Sequence, residues 1–313
     1  MRRLVIRRLL MAVPILFGVS IAAFFLMRAL PGDFALAAAG SDGAPPEVLA
    51  KIREDLGLAE PIWKQYLLWL GNALRGDFGN SFLTRRPVTS EILPRLGVTF
   101  QLTMIAAVMA MLLGGTTGLL AARLRGRWDW GVRLFNGFML AVPSFVIGTL
   151  IVLLVGLYFP GIGLFGFTYF FEDPVKSITS MLLPALALAL SISVTISENT
   201  RAAVLEVSGQ DYVMVARAKG LRPRTVLGNY LVRNALTPVI TVTGLQIASL
   251  LGGSIIIETI FSIPGMGQYL YDSITSRDYP VIQAIVLITA VIVVAVNILV
   301  DIAYTRADAR VSL

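Results

Sequence analysis

Residues 199–238 read NTRAAVLEVSGQDYVMVARAKGLRPRTVLGNYLVRNALTP, and they join two uncharged apolar intervals, 177–197 and 234–257. Each interval is long enough to cross a hydrocarbon core that needs about 20 helical residues. A charged hairpin between two such runs fits a multi-pass membrane protein and no soluble fold. Its punctuation predicts a short helix over 209–219. Ser208 stands as an N-cap with Asp211 three residues on, and Lys219 falls in the last turn, where a cation suits the helix dipole. Gly220 occupies the place that favours a left-handed residue, and Pro223 bars continuation. Tyr212, Val215, Ala216 and Lys219 share one side at helical spacing, and the small residues Ala216, Ala218 and Gly220 let another protein surface come close. This is the pattern of a docking helix; its rival is an interfacial helix whose arginines lie near anionic lipid.

Working outward, further uncharged intervals lie at 9–27, 96–122, 134–171 and 279–300. The 134–171 interval is too long for one helix, and its second part, YFPGIGLFGFTYFF, mixes Pro160 and glycines with aromatics. The third helix is therefore expected to end near Leu157, with the remainder at an interface where Tyr and Phe are favoured. Six spans result. The first follows Arg2, Arg3, Arg7 and Arg8 but lacks a small-residue cleavage site, so it reads as a retained helix. Among short connections, Lys and Arg gather at the N-terminus and in the stretches 123–133 and 198–233, against Lys176 and Arg277 on the other side, which puts both termini in the cytoplasm.

Composition agrees: 56% of the 313 residues are hydrophobic and 14% charged, with a mean hydropathy of +0.78. The net charge of +7 is scattered between apolar runs, which speaks against nucleic-acid binding. The chain has no Cys and no His, which removes thiolate zinc sites and every Cys–His or Ser–His–Asp catalytic set. Arg28, Glu198, Glu258 and Asp301 fall at span ends, where water or snorkelling satisfies them, so the span interiors lack the ionisable groups of an ion-coupled carrier. No G-x-x-x-x-G-K-[ST] run is present, so ATP hydrolysis must come from a partner. The GIGLFG string at Gly161, Gly163 and Gly166 lacks the strand–turn–helix setting of a dinucleotide site, and the Gly114–Gly118 pair reads as helix packing.

The soluble stretch after the first span predicts two helices, one opened by Pro45 and Pro46 and stopped at Gly57, the other opened by Pro61 with Ile62, Tyr66, Leu70 and Leu74 sharing a stripe, Trp69 nearby, that packs on neighbouring protein or at the lipid interface.

Asp211-Tyr212, ARAKGL at 216–221, then Arg233-Asn234-Ala235-Leu236 and Pro238 resemble the coupling loop of the dipeptide, oligopeptide and nickel permeases of bacterial ATP-binding-cassette importers. LPGD at 30–33, RGDFGNSF at 75–82, ETIFSIPGMGQYL at 258–270 and RDYPVIQA at 277–284 agree, and together they cover nearly the whole chain in the order of the permease with the long first outer loop. The resemblance implies an all-α type I importer permease fold: a cytoplasmic N-terminus at 1–8, a first transmembrane helix at 9–29, an extracytoplasmic subdomain at 30–95, a five-helix core at 96–303 with its coupling loop at 198–233, and a cytoplasmic tail at 304–313. It implies a bacterial inner-membrane protein in contact with membrane lipid and with no catalytic, metal or cofactor site of its own. Its partners would be a homologous second permease, two ATPase subunits that use ATP and Mg, and an extracytoplasmic binding protein that delivers cargo. The ATPase-docking residues carried over are Asp211, Tyr212, Val215, Ala216, Arg217, Ala218, Lys219, Gly220 and Leu221. The sequence departs from the broader importer pattern E-A-A-x-x-x-G: Met214 stands at the Glu position and Val215 at the first Ala, while Tyr230 stands where the peptide branch often has His.

For the transport pathway the polar candidates within spans are Ser144 beside the Pro143 break, Ser191, Ser193 and Thr195, and Gln246, Ser249 and Ser254, with Ser144, Gln246 and Ser249 carried forward. Backbone bonding or helix packing is the rival role for each serine and threonine, and an interhelical hydrogen bond is the rival for Gln246 and for Asn297. Cargo stays open between a dipeptide, a longer peptide, a nickel complex and another small solute. The competing reading is an ATP-independent carrier or channel.

Overall fold

The computed structural model describes residues 2–29, 34–39, 45–55, 57–124, 127–159, 161, 163 and 166–307. The LPGD run, part of the aromatic stretch after the third span and the end of the C-terminal tail lie outside the described residues. The helices are α1 (Arg2–Ala29), α2 (Phe34–Ala39), α3 (Pro46–Asp55), α4 (Ile62–Ala73), α5 (Val88–Arg123), α6 (Arg127–Ala141), α7 (Ser144–Tyr158), α8 (Pro174–Ser208), α9 (Asp211–Ala218), α10 (Pro223–Thr225), α11 (Arg233–Phe261), α12 (Met266–Thr275) and α13 (Tyr279–Ala307). A π-helical segment, Val226–Val232, joins α10 to α11.

Among the described residues, five stretches are long and apolar enough to cross a membrane: Val5–Arg28, Val88–Arg123, Pro174–Ser208, Val242–Phe261 and Tyr279–Ile302. The pair α6 and α7, bent by 98°, makes a sixth when its two pieces are taken as one broken span. The expected end near Leu157 holds, since α7 ends at Tyr158, but the expectation of one unbroken third helix is corrected. Pro143 has no N–H to give the preceding turn and stands extended, at φ −61° and ψ 146°, as the N-cap of α7. Its carbonyl then accepts from Val146 at 3.0 Å, which starts the new helix in a new direction. At 15 residues α7 is about 22 Å long, shorter than a bilayer core, so α7 alone does not make a span.

By internal contacts the chain divides into two units, one of Phe100–Ile263 with the chain from Val296 onward, the other of Arg2–Thr99 with Pro264–Ala295. In the first, α8 is the central helix. Asp173 caps it, accepting the Lys176 N–H at 3.0 Å, and Pro174 opens it. Gly114 and Gly118 lie so close to α8 that a Cβ on either would strike the Ser193 or Ser197 carbonyl, as well as Ile196 or Thr200 at 2.7 Å. The packing reading of that pair therefore holds. Thr117 Oγ1 lies 3.0 Å from Ser197 Oγ, and Asn136 Nδ2 donates to Ser197 Oγ at 3.2 Å and to Glu198 Oε1 at 3.0 Å, which ties α5, α6 and α8 together.

In the second unit α4 packs on α1. Ser20 Oγ and the Tyr66 hydroxyl are 2.8 Å apart, and Phe24 meets the rings of Tyr66 and Trp69 at 5.3 and 5.7 Å. The buried face of α4 is thus Tyr66 with Ala73. Ile62 and Leu74 of the expected stripe are 52% and 81% exposed, because α1 meets the face one position round the helix. Val88, Ile92, Met266, Tyr269, Val281, Ala284 and Ile285 form a core. At its edge the buried Asp278 carboxylate accepts from Ser81 Oγ at 2.5 Å and from the Phe82 and Leu83 N–H groups at 3.0 and 3.3 Å. The Tyr269 hydroxyl donates to Glu91 Oε2 at 2.5 Å; burial, reinforced by that carboxylate, pushes it well above the usual phenol range and keeps it a donor.

Candidate docking surface and transport pathway

The segment between the fourth and fifth spans is built around α9. Its start differs from the sequence expectation. Ser208 does not cap α9; its hydroxyl donates to the Leu205 carbonyl at 2.8 Å and belongs to the last turn of α8. Gly209 and Gln210 turn the chain, and the extended Gln210 supplies the first carbonyl of α9, accepting from Val213 and Met214 at 3.0 and 3.3 Å. Asp211 lies in the first turn, where its charge suits the dipole.

The other end is as the sequence predicts. Gly220 stands at φ +72°, its N–H donates to the Arg217 carbonyl at 3.0 Å, and the Leu221 N–H reaches the Ala216 carbonyl at 3.3 Å. This pair of bonds is the Schellman closure, and it needs a residue at home in the left-handed region. Arg222 then extends, and Pro223 opens the turn that leads to the π segment.

Burial sorts the faces of α9. Val213 and Ala216 are buried, packed with Val226 and Leu231 and flanked by Val207, Leu227 and Tyr230. Asp211, Tyr212, Met214, Val215, Arg217, Ala218, Lys219, Gly220 and Leu221 are exposed. Of the residues carried over as docking groups, Ala216 is therefore an anchor and the others form the open face. The sequence reading missed Val213, although its spacing of three from Ala216 is itself a helical signal. Tyr212 stacks on Tyr230 with ring centroids 6.5 Å apart, so the residue that departs from the branch pattern shapes the rim of this face. Close by in the chain, Arg201 makes a two-pronged ion pair with Asp129 at 2.9 and 3.0 Å, fixing the start of α6 to α8.

The pathway candidates are less gathered. Gln246 and Ser249 lie three residues apart on one face of α11, half-buried and exposed respectively. Ser144 stands on another helix, at the first position of α7 beside the bend. α7, α8 and α11 pack on one another, and Gly148 of α7 lies where a Cβ would come within 2.8 Å of Ile257 Cδ1. Ser193 and Ser254 bond back to their own helices at 2.8 and 3.1 Å, as packing groups do. Glu258 is fully buried, against the expectation of a hydrated carboxylate at a span end; its carbonyl accepts the Ile263 N–H at 2.8 Å in the turn that closes α11.

Comparison with known proteins places this architecture among relatives. Residues 114–313 match the family described as binding-protein-dependent transport system inner membrane component, and residues 1–103 match the N-terminal membrane component of the same systems. A protein of Brucella suis biovar 1 (strain 1330), assigned to a peptide transport system as its permease, is 41% identical over 315 residues and covers 99% of both chains. The oligopeptide transport system permease protein AppB of Bacillus subtilis (strain 168) is 37% identical over 98% of each chain, and the dipeptide transport system permease protein DppB of Escherichia coli (strain K12) is 35% identical over 99% of each. A solved amino acid ABC transporter superposes with a TM-score of 0.52 at 18% identity, covering 70% of this chain and 94% of the other, which is a likeness of fold.

Proposed function

The chain belongs to the inner-membrane components of binding-protein-dependent transport systems, and from that premise we propose that this permease subunit of an ATP-driven importer carries small peptides and is driven through α9. It is the membrane permease of such a system and not an enzyme, and the reading as an ATP-independent carrier gives way. The peptide cargo rests on the names of the Bacillus and Escherichia relatives. In our reading a homologous permease completes the pathway, two ATPase subunits supply ATP and Mg chemistry, a binding protein delivers cargo, and both termini and the 198–233 segment face the cytoplasm.

One observation supports the coupling role above the rest: α9 is held from below by Val213 and Ala216 while Tyr212, Val215, Lys219 and Leu221 are left exposed. A helix anchored on one face and bare on the other can take a push without dissolving. The displacement would pass to α8 through the two-residue turn at Gly209–Gln210, and to α11 through the Val226 and Leu231 contacts. The π segment between α10 and α11 is a natural place for that strain, since its wider turn can tighten by one hydrogen-bond step. Alternating access then becomes a two-state switch biased by ATP. Gln246 and Ser249 on α11, with Ser144 on α7, are the polar groups we assign to the pathway.

The test is purification of the tagged chain from its native membrane in mild detergent, with identification of its companions and an ATPase assay. We expect a second six-span permease and Walker-motif subunits, with activity lost when 208–221 is deleted. A chain that arrives alone, without ATPase subunits, overturns the proposal.

A further inference from the structure

A group of residues that the coupling scheme leaves unused converges on a cavity of about 350 Å³ inside the unit of Arg2–Thr99 and Pro264–Ala295. Its walls are aromatic: Phe34, Trp69 and Phe82 line it, and Phe34 is itself stacked on Tyr279 at 4.3 Å. Five polar side chains interrupt that lining: Arg28 at the end of α1, Gln65 and Asn72 on α4, Asp77 in the loop after α4, and Gln283 in the first turns of α13.

Gln283 decides the reading. It is 5% exposed, and its Nε2 has no hydrogen-bond partner among the described residues. A buried amide donor left unmade is destabilising, and folds retain one where something else supplies the acceptor. The two charged groups of the same lining have partners within the fold, Asp77 from an exposed position in its loop. The Arg28 guanidinium lies 3.8 Å from the centre of the Phe24 ring and 5.3 Å from that of Phe34, and it donates to Gln65 Oε1. Gln65 is fixed in turn, its Nε2 donating to the Leu58 and Glu60 carbonyls at 3.1 and 2.6 Å. Asp77 Oδ1 accepts the Gly79 N–H at 2.9 Å.

A cation held on two sides, an exposed loop anion, an unused amide donor and flat apolar walls complement a small molecule that carries an ammonium, an anionic oxygen and an apolar body. The volume is within the range of small-ligand pockets. We propose that this cavity is a binding site for a zwitterion of that kind, distinct in its residues from α9 and from the pathway candidates. Arg28 and Gln283 meet the anionic oxygen, Asp77 meets the ammonium, and the rings hold the apolar body. Two sources share this chemistry. One is the free termini of a short peptide, a source that rests on the cargo proposed above. The other is the headgroup of an ethanolamine phospholipid, reachable because Arg28 closes a membrane-spanning stretch.

The experiment uses the importer complex without its binding protein, in phosphatidylglycerol nanodiscs, whose headgroup carries no ammonium. The probes are the dipeptide Ala-Phe, followed by titration calorimetry, and nanodiscs in which part of the lipid is phosphatidylethanolamine, followed by the melting temperature. Each is run on wild type and on Gln283→Leu. Leucine keeps the volume and deletes the stranded donor, so the variant is expected to melt at or above wild type while binding weakens roughly tenfold or more. Loss of Ala-Phe binding in the variant supports the site with a peptide as its source. A melting shift with phosphatidylethanolamine alone, absent in the variant, supports it with a lipid headgroup. If neither probe acts on wild type, or both act equally on Gln283→Leu, the proposal is overturned and Gln283 is a structural oddity. Import of cargo by the complete system, assayed in parallel, separates the two ideas: intact import without binding here sinks the cavity site alone, and binding here without peptide import sinks the cargo reading.

Discussion

At Gly220 the backbone stands at φ +72°, while a Cβ built there meets nothing within 4 Å. The constraint is one of conformation and not of space. Gly220→Val therefore strains the closure of α9 by about 1–3 kcal/mol, with membrane insertion unaffected. We expect cargo-stimulated ATPase activity of the assembled importer to fall sharply in that variant and to return in part in Gly220→Asn, since Asn visits the left-handed region more readily. Normal activity in Gly220→Val would show that the closure is dispensable. Gly118 presents the opposite case, an ordinary helical backbone against which the Ser197 carbonyl and Thr200 leave no room for a side chain. Gly118→Val should lower the stability of the purified protein by about 1–3 kcal/mol through overpacking of α5 on α8, read as a drop in melting temperature. An unchanged melting temperature would mean the two helices separate freely at that level.

Among the elements, α9 offers two substitutions that part anchoring from docking. Val213→Asp places a carboxylate among Val226 and Leu231 and should release the helix, seen as new protease cleavage within 209–222. Val215→Arg lies on the exposed face and should leave the stability within about 0.5 kcal/mol of wild type, yet abolish co-purification of the ATPase. ATPase recovery equal to wild type would remove this face from the interface. The end of α9 was legible in the sequence because Gly220 and Pro223 act locally. Its start was not: Ser208 and Asp211 have the spacing of a cap, but a serine can equally bond three residues back into the helix before it, and it does. Likewise α8 runs past Glu198 and Arg201, because charges end an apolar stretch without breaking helical hydrogen bonds. Pro143 did not by itself divide the third helix in the sequence reading, because the 98° bend depends on how α7 packs against α8 and α11, which no local pattern encodes. The pathway candidates were legible only as polar residues in apolar helices, a signal that does not say which face turns to the cargo.

For the molecule as a whole, the pattern of spans read from charge-free intervals survives, with the bent pair as the sixth, and what the sequence left out are the contacts between distant segments. Asp278 makes the clearest of these, accepting three donors from the loop at 81–83. Asp278→Ala strands the Phe82 N–H and a buried hydroxyl, and leaves the Leu83 N–H with Ser81 Oγ at 3.2 Å, for a loss of at least about 2 kcal/mol. Hydrogen exchange should then speed up at Phe82 and Leu83, and unchanged protection there would mean that other bonds hold the loop. The same contact sets an order of events at the ribosome. Ser81 and Asp278 are 197 positions apart, so at roughly 5–20 residues per second the loop waits about 10–40 s for the carboxylate that will fix it. Throughout that interval four further spans are being inserted, and a segment near the beginning of the chain remains among the last to take its final form.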